Sequence, residues 1–207
     1  MIYELVKGSD PLLSQGTEDY DFQSPPLDER NRPFMPGALA ESLKESLIYH
    51  KGIGISACQI GFPWNVFAVG DPNDPDNIVV MFNPRIVDTS PDEVLMEEGC
   101  LSYPGLFIKV KRPSTIRIRY IDAAGDTMTE VYNGIPARVI LHEYDHSKGI
   151  TFQKRSTTTH LSQAKRQKIK LDKKRKSNYN KAKAKIQPIL VPMYYPMKSL
   201  MLPVSRQ

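Results

Sequence analysis

Leu39, Leu43 and Leu47 recur at four-residue intervals in GALAESLKESLIYHKG. That spacing places them on one face of a helix, and Gly52 close behind supplies the expected stop. The rhythm then changes to that of strands. WNVFAVG and NIVVMFNP are short and β-branched, with the turn cluster DPNDPDN between them. GLFIKVKRP follows a Tyr-Pro-Gly turn. STIRIRYID alternates strictly, with Ile116, Ile118 and Tyr120 on one face and Arg117 and Arg119 on the other. AAGD turns it into TMTEVYNG, which reads as a hairpin. A second helix is expected over 135–148, with Pro136 in its first turn and Gly149 as its stop. Its apolar positions, Val139, Ile140, Leu141 and Tyr144, predict burial against the sheets. The expected fold class is α+β, with mostly antiparallel β-sheets packed around this central helix, an N-terminal helix and a basic C-terminal helix.

Both ends of the chain differ from the middle. Residues 1–36 are rich in Pro, Asp and Gln and lack apolar periodicity, so they read as an extended arm lying over the body. TTTHLSQAKRQKIKLDKKRKSNY suggests a basic helix with little apolar face. The final stretch, IQPILVPMYYPMKSLMLPVSRQ, is apolar but carries four prolines, which rules out one regular helix. The organisation expected is a body over 1–160, a basic helix over 161–185 and a proline-containing apolar tail over 186–207.

The net charge of +5 belongs to one place: residues 165–185 hold eleven Lys or Arg against one Asp, and the remainder is acidic. Basicity therefore describes the helix and says nothing about the body. A hydrophobic content of 40% supports an ordinary core. No apolar run approaches the roughly 20 residues that span a bilayer. MIYELVKGSDPLLSQ has no basic segment followed by an apolar one. The expectation is a cytoplasmic protein with no membrane partner. Cys58 and Cys100, the two cysteines, are then reduced thiols, available as ligand or nucleophile.

The chemistry concentrates in LHEYDHSKG, residues 141–149. His142 and His146 stand four apart, so a helix aims both imidazoles at one point. Glu143 beside them can reach a water held there, which is the H-E-x-x-H arrangement of two ligands and a general base. The same pattern also occurs in helices whose histidines only make core hydrogen bonds. A metal site needs a third protein ligand. His160 follows downstream among basic residues and is a poor candidate. Cys100, in EEGCLSYPG, is a better one, although a lone cysteine is often a small buried apolar residue. GIGISACQIG, residues 52–61, has three glycines in ten positions, which implies a tight bend or backbone lying close to a ligand. It fits neither a dinucleotide fingerprint nor a P-loop, and its one strong polar side chain is Gln59.

Taken together and in order, GIGISACQ, EGCLS and HEYDH resemble the three motifs of the peptide deformylase family. The likeness covers roughly residues 1–175. The second and third motifs match fully. The first has Ser56 where the family usually has Ala and Cys58 where Pro is common. Leu141 and Ser147 replace the Gln and Leu common on either side of the third. The resemblance implies a divalent metal held by Cys100, His142 and His146, with Fe2+ expected natively and Zn2+, Ni2+ or Co2+ able to take its place. It implies Glu143 as the general base, with Gln59 and the Leu101 N–H as oxyanion donors. It implies a substrate strand laid along Gly52, Ile53 and Gly54, with Gly105 on the other side. Ile53, Val139 and His142 would wall a methionine pocket. The implied reaction removes the formyl group from the N-terminal methionine of nascent polypeptides and releases formate. The basic helix would bring the ribosome as partner, without sequence-specific nucleic-acid binding. Glu98 or Asp145 is expected behind a metal-bound histidine, and Asp145 could instead pair with Arg112. The alternative is a zinc peptidase of the H-E-x-x-H kind, which has no need of Cys100.

Overall fold

The computed structural model describes residues 1–28 and 31–185. The apolar tail expected over 186–207 lies outside the described residues. The chain divides into a unit Met1–Ile169 and a second unit beginning at Lys170.

The first unit contains seven strands, numbered in chain order: β1 (Gly54–Ser56), β2 (Val66–Val69), β3 (Val79–Thr89), β4 (Glu93–Gly99), β5 (Phe107–Pro113), β6 (Thr115–Ile121) and β7 (Thr127–Asn133). Five form an antiparallel sheet in the order β1-β2-β3-β6-β7, and β4 and β5 form a separate ribbon. The helices are α1 (Pro36–Tyr49), α2 (Gly134–Ser147), α3 (Phe152–Arg155) and α4 (Thr158–Lys185). This is the α+β class expected, with mainly antiparallel sheets.

Around β2 the five-stranded sheet is covered on both faces. Val66 and Ala68 of β2 pack with Leu39, Leu43 and Leu47 of α1. Phe67 and Val69 point the other way and pack with Ala137, Ile140 and Leu141 of α2. Met81 of β3 joins the α2 side and Val80 and Phe82 the α1 side. A strand buried on both faces has no polar position to show, so VFAV reads as an unbroken apolar run. Each wholly buried leucine of α1 contributes about 1.5–3 kcal/mol against exposure. In β6 the alternation is as the sequence pattern predicts, with Ile116, Ile118 and Tyr120 buried and Arg117 and Arg119 exposed.

The stop of α1 differs from expectation. Lys51, not Gly52, takes the left-handed position, with φ of 55°. The Gly52 N–H then closes the turn onto Leu47 O at 3.0 Å. Gly52 has its own reason to be glycine, because a Cβ there would stand 2.8 Å from Leu101 Cδ1. Gly149 ends α2 as expected, at φ of 65°, and a Cβ on it would meet Ser14 O at 2.6 Å.

Ser14 belongs to the N-terminal arm, whose described residues are irregular apart from a short 3-10 turn over Pro11–Leu13 and isolated bridges. The Asn83 side chain pairs with the Tyr20 backbone, accepting from its N–H at 2.7 Å and donating to its carbonyl at 2.9 Å. Thr17 N–H donates to Ser147 O at 3.0 Å, which ties the arm to the end of α2. At the other end of the unit, Leu161 and Ala164 of α4 pack on Leu106, Ile108, Val110 and Phe152. The described part of the second unit is helical and lysine-rich, and its residues 170–181 are exposed. Among the described residues no helix is long and apolar enough to cross a membrane.

Candidate active site

Helix α2 presents His142 and His146 toward the end of β4, where Cys100 follows Gly99. The ligand atoms of Cys100, His142 and His146 all lie within 4.8 Å of one another. Cys100 Sγ and His146 Nε2 are 3.4 Å apart. A tetrahedral cation with sulfur at about 2.3 Å and imidazole nitrogen at about 2.0 Å sets such donors about 3.5 Å apart. His160 is not part of this group.

The charges around the group also fit a cation. Burial opposes a charge on His142, yet Cys100 and Glu98 lift its pKa to about 10. His146 is pushed well below its ordinary 6.5, first by burial and then by His142 and Arg112. The surroundings of His142 thus favour a positive charge, which a metal ion can supply in place of the proton.

Behind the histidines lies a buried network. Glu98 Oε2 stands 3.1 Å from His142 Nδ1, which leaves Nε2 for the metal group. Arg112 grips Glu98 with two bonds, Nε to Oε1 at 2.6 Å and Nη2 to Oε2 at 2.9 Å. Arg138 adds Nη1 to Oε1 at 2.7 Å. Burial works against the charge on Glu98, but Arg112 and His142 hold its carboxyl down at about 2. Arg112 Nη1 also donates to Asp145 Oδ2 at 2.7 Å, and Arg155 donates to both Asp145 oxygens. Both sequence alternatives are therefore present: Glu98 backs His142, and Asp145 pairs with Arg112. His146 Nδ1 is buried with no hydrogen-bond partner among the described residues.

Glu143 is 3% exposed and lies beside β1. The Ser56 hydroxyl donates to its Oε2 at 2.7 Å. Burial raises the Glu143 carboxyl above the ordinary carboxylate range, against the opposing pull of His142 and Ser56. A Cβ on Gly54 would fall 2.5 Å from Glu143 Oε1, so only glycine lets the strand come this close. Gln59 is oriented by its own turn: Ser56 N–H donates to Oε1 at 2.8 Å. Its Nε2 then points at Cys100 Sγ, 3.4 Å away, and at Ser102 Oγ, 3.3 Å away. Among the described residues the Leu101 N–H has no backbone acceptor.

These groups open into a cleft of about 480 Å³. Gly52, Ile53, Gly54, Gly105 and Val139 line it, together with Gln59, Leu101, Cys100, His142 and Glu143. Ile53 is 53% exposed and stands at the rim. Among the described residues β1 is the outermost strand of its sheet, with one edge unpaired. All the residues singled out by the motifs are thus gathered in one place. Sequence reasoning passed over three others. Ser56 was read as a minor departure, yet it holds the acid beside the metal group. Arg138 and Arg155 gave no local signal, since their partners lie elsewhere in the chain. Cys58 is a free buried thiol, raised to about 12 by burial and then by Glu143 and Cys100.

The comparisons agree with this geometry. The polypeptide deformylase family model matches residues 2–162. A peptide deformylase of Thermotoga neapolitana is 36% identical over 53% of this chain, and the match spans 65% of that protein's length. One from Christiangramia forsetii is 31% identical over 90% of this chain and 94% of its own. The Met-Ala-Ser-bound structure of a peptide deformylase from Acinetobacter baumannii superposes with a TM-score of 0.65 at 29% identity, covering 75% of this chain and 98% of that one. With ligand group, cleft and relatives in agreement, the chain belongs to the polypeptide deformylase family.

Proposed function

We propose that this chain is a hydrolase, working with Fe2+ natively, that removes the formyl group from the N-terminal methionine of nascent polypeptides. The observation that carries the reading is the convergence of Cys100, His142 and His146 beside Glu143, at the unpaired edge of β1. A divalent ion held by those three side chains supplies Lewis-acid polarisation and lowers the pKa of water, chemistry that zinc, nickel or cobalt also provides.

The remaining work falls to the protein's own groups. Glu143 accepts the proton of the attacking water, and its raised pKa brings it nearer to a useful base at neutral pH. It returns that proton to the departing amine as the formamide C–N bond breaks, so one water and one formamide give formate and a free amine. Gln59 Nε2 and the Leu101 N–H donate to the oxyanion that forms at the formyl carbon. The peptide adds to the free edge of β1 at Gly52, Ile53 and Gly54, with Gly105 on the other wall, so main-chain bonds give affinity without demanding a sequence. The Acinetobacter neighbour binds Met-Ala-Ser, which supports a peptide as the ligand class. Ile53, Val139 and the ring face of His142 wall the methionine side chain. The lysines of 165–181 give ribosomal RNA a phosphate-binding surface without base specificity.

The peptidase alternative is given up, because Cys100 completes the ligand group and the family match is to deformylases. The test is incubation of the metal-loaded chain with formyl-Met-Ala-Ser. Release of formate with both peptide bonds intact is expected, whereas cleavage of a peptide bond without formate would refute the reading.

A further inference from the structure

The segment 101–106 is a thin partition between two spaces. On one side lies the cleft, and on the other a second cavity of about 760 Å³ bounded by Leu5, Val6, Lys7 and Lys168. Leu101, Tyr103, Pro104 and Leu106 line both. Leu106 is fixed in the core with Ile108, Val110 and Phe152, but Pro104 is exposed and Gly105 has no side chain to pack, so the corner between depends on tethers. The first turn of the partition has its own: Tyr103 N–H donates to Cys100 O at 2.9 Å, and the Tyr103 hydroxyl donates to Gly8 O at 2.6 Å. The corner at Pro104 and Gly105 is a turn closed by the Leu106 N–H, which donates to Tyr103 O at 3.2 Å, and its outer carbonyl is held from elsewhere. Proline offers no N–H, and Gly105 turns through a left-handed φ of 74°. What reaches this corner is Lys168 of α4, whose ammonium donates to Pro104 O at 2.9 Å. A Cβ on Gly105 would stand 3.5 Å from the same Nζ. Leu161 and Ala164, packed on Leu106 and Phe152, fix the turns of α4 that precede Lys168.

We infer that Lys168 is a positioning residue for peptide binding, setting the Gly105 wall of the cleft by holding Pro104 O from behind. The inference rests on the reading that a peptide lies along Gly105. It gives the basic helix a role inside the first unit that its charge does not suggest. Cys100 is anchored separately, so losing the lysine acts on peptide affinity and leaves the metal and the turnover step alone.

The experiment compares the metal-loaded full chain with Lys168→Met and Lys168→Arg. It measures metal content, kcat and KM for formyl-Met-Ala-Ser, and the calorimetric affinity for unformylated Met-Ala-Ser. Lys168→Met is expected to raise KM and weaken tripeptide binding about three- to tenfold, the scale of one charge-assisted hydrogen bond at a partly solvated site, with kcat and metal content unchanged. Lys168→Arg restores most of the loss. Unchanged KM and affinity in Lys168→Met would overturn the inference, as would a parallel fall in kcat and metal content. If the unsubstituted chain releases no formate, the functional reading fails, and tripeptide affinity alone still decides the role of Lys168.

Discussion

Replacing Glu98 by Gln changes one atom and should cost the protein on two counts. Each carboxylate oxygen takes two donors: Oε1 faces Arg112 Nε and Arg138 Nη1, and Oε2 faces Arg112 Nη2 and His142 Nδ1. Whichever position the amide nitrogen takes, an NH2 group meets N–H donors. Two buried guanidiniums also lose the anion between them, with Arg112 and Arg138 only 4% and 6% exposed. Breaking a buried pair in this way costs about 3–5 kcal/mol. The carboxyl's own pKa gives a similar size: its fall from an ordinary 4.5 to about 2 corresponds to about 3 kcal/mol. The sign is that of a depressed acid, so the contribution is present above 4.5 and lost as pH falls toward 2. Against a total stability of about 5–15 kcal/mol this is a large share. Urea unfolding of metal-free Glu98→Gln at neutral pH measures it. The second cost is metal affinity, since His142 loses the group that fixes its ring, and chelator competition should show about a 10- to 100-fold loss. Unfolding within 1 kcal/mol of the parent, on the scale of about 1 kcal/mol that surface pairs contribute, would refute the argument for the network.

Other expectations follow from single contacts. Ser56→Ala removes the hydroxyl on Glu143 and should lower kcat about three- to tenfold, with KM little changed in a formate-release assay. Gly54→Ala would push a methyl into Glu143 Oε1 and Val139 Cγ1, 2.5 and 2.7 Å away, and should lower kcat/KM about a hundredfold while circular dichroism stays unaltered. Lys51→Gly relieves a left-handed lysine and should raise stability by about 0.5–1 kcal/mol in thermal unfolding; a lower Tm would contradict the assignment of the α1 stop.

Much of this molecule can be read from one sequence because its signals are local. The leucines of α1, the alternation of β6 and the proline and glycine bounding α2 each lie within one element and follow from its period. The candidate ligands became legible through three short motifs, each continuous in the chain. Features that depend on distant partners were not. β4 carries Glu, Leu and Met, which read equally well as helix, and it becomes a strand through pairing with β5, where Glu93 meets Pro113 and Gly99 meets Phe107. Glu98, Asp145 and Arg112 were expected near the histidines only through the family resemblance, while Arg138 and Arg155, which join them from α2 and α3, gave no signal. The stop at Lys51 was hidden because Gly52, the better left-handed residue, stands next to it and is needed for contact with Leu101. Ser56 was overlooked because its hydroxyl acts on a residue 87 positions away.

The central claim is that Cys100, His142 and His146 hold the metal while Glu143 moves the proton. Its most direct test is a paired measurement of bound metal and formate release on Glu143→Ala and Cys100→Ala, both prepared anaerobically with Fe2+. The account predicts that Glu143→Ala keeps one equivalent of metal and loses about 10²–10⁴ in kcat, whereas Cys100→Ala loses the metal and the activity together. Metal retained in full by Cys100→Ala, or turnover undiminished in Glu143→Ala, would contradict it.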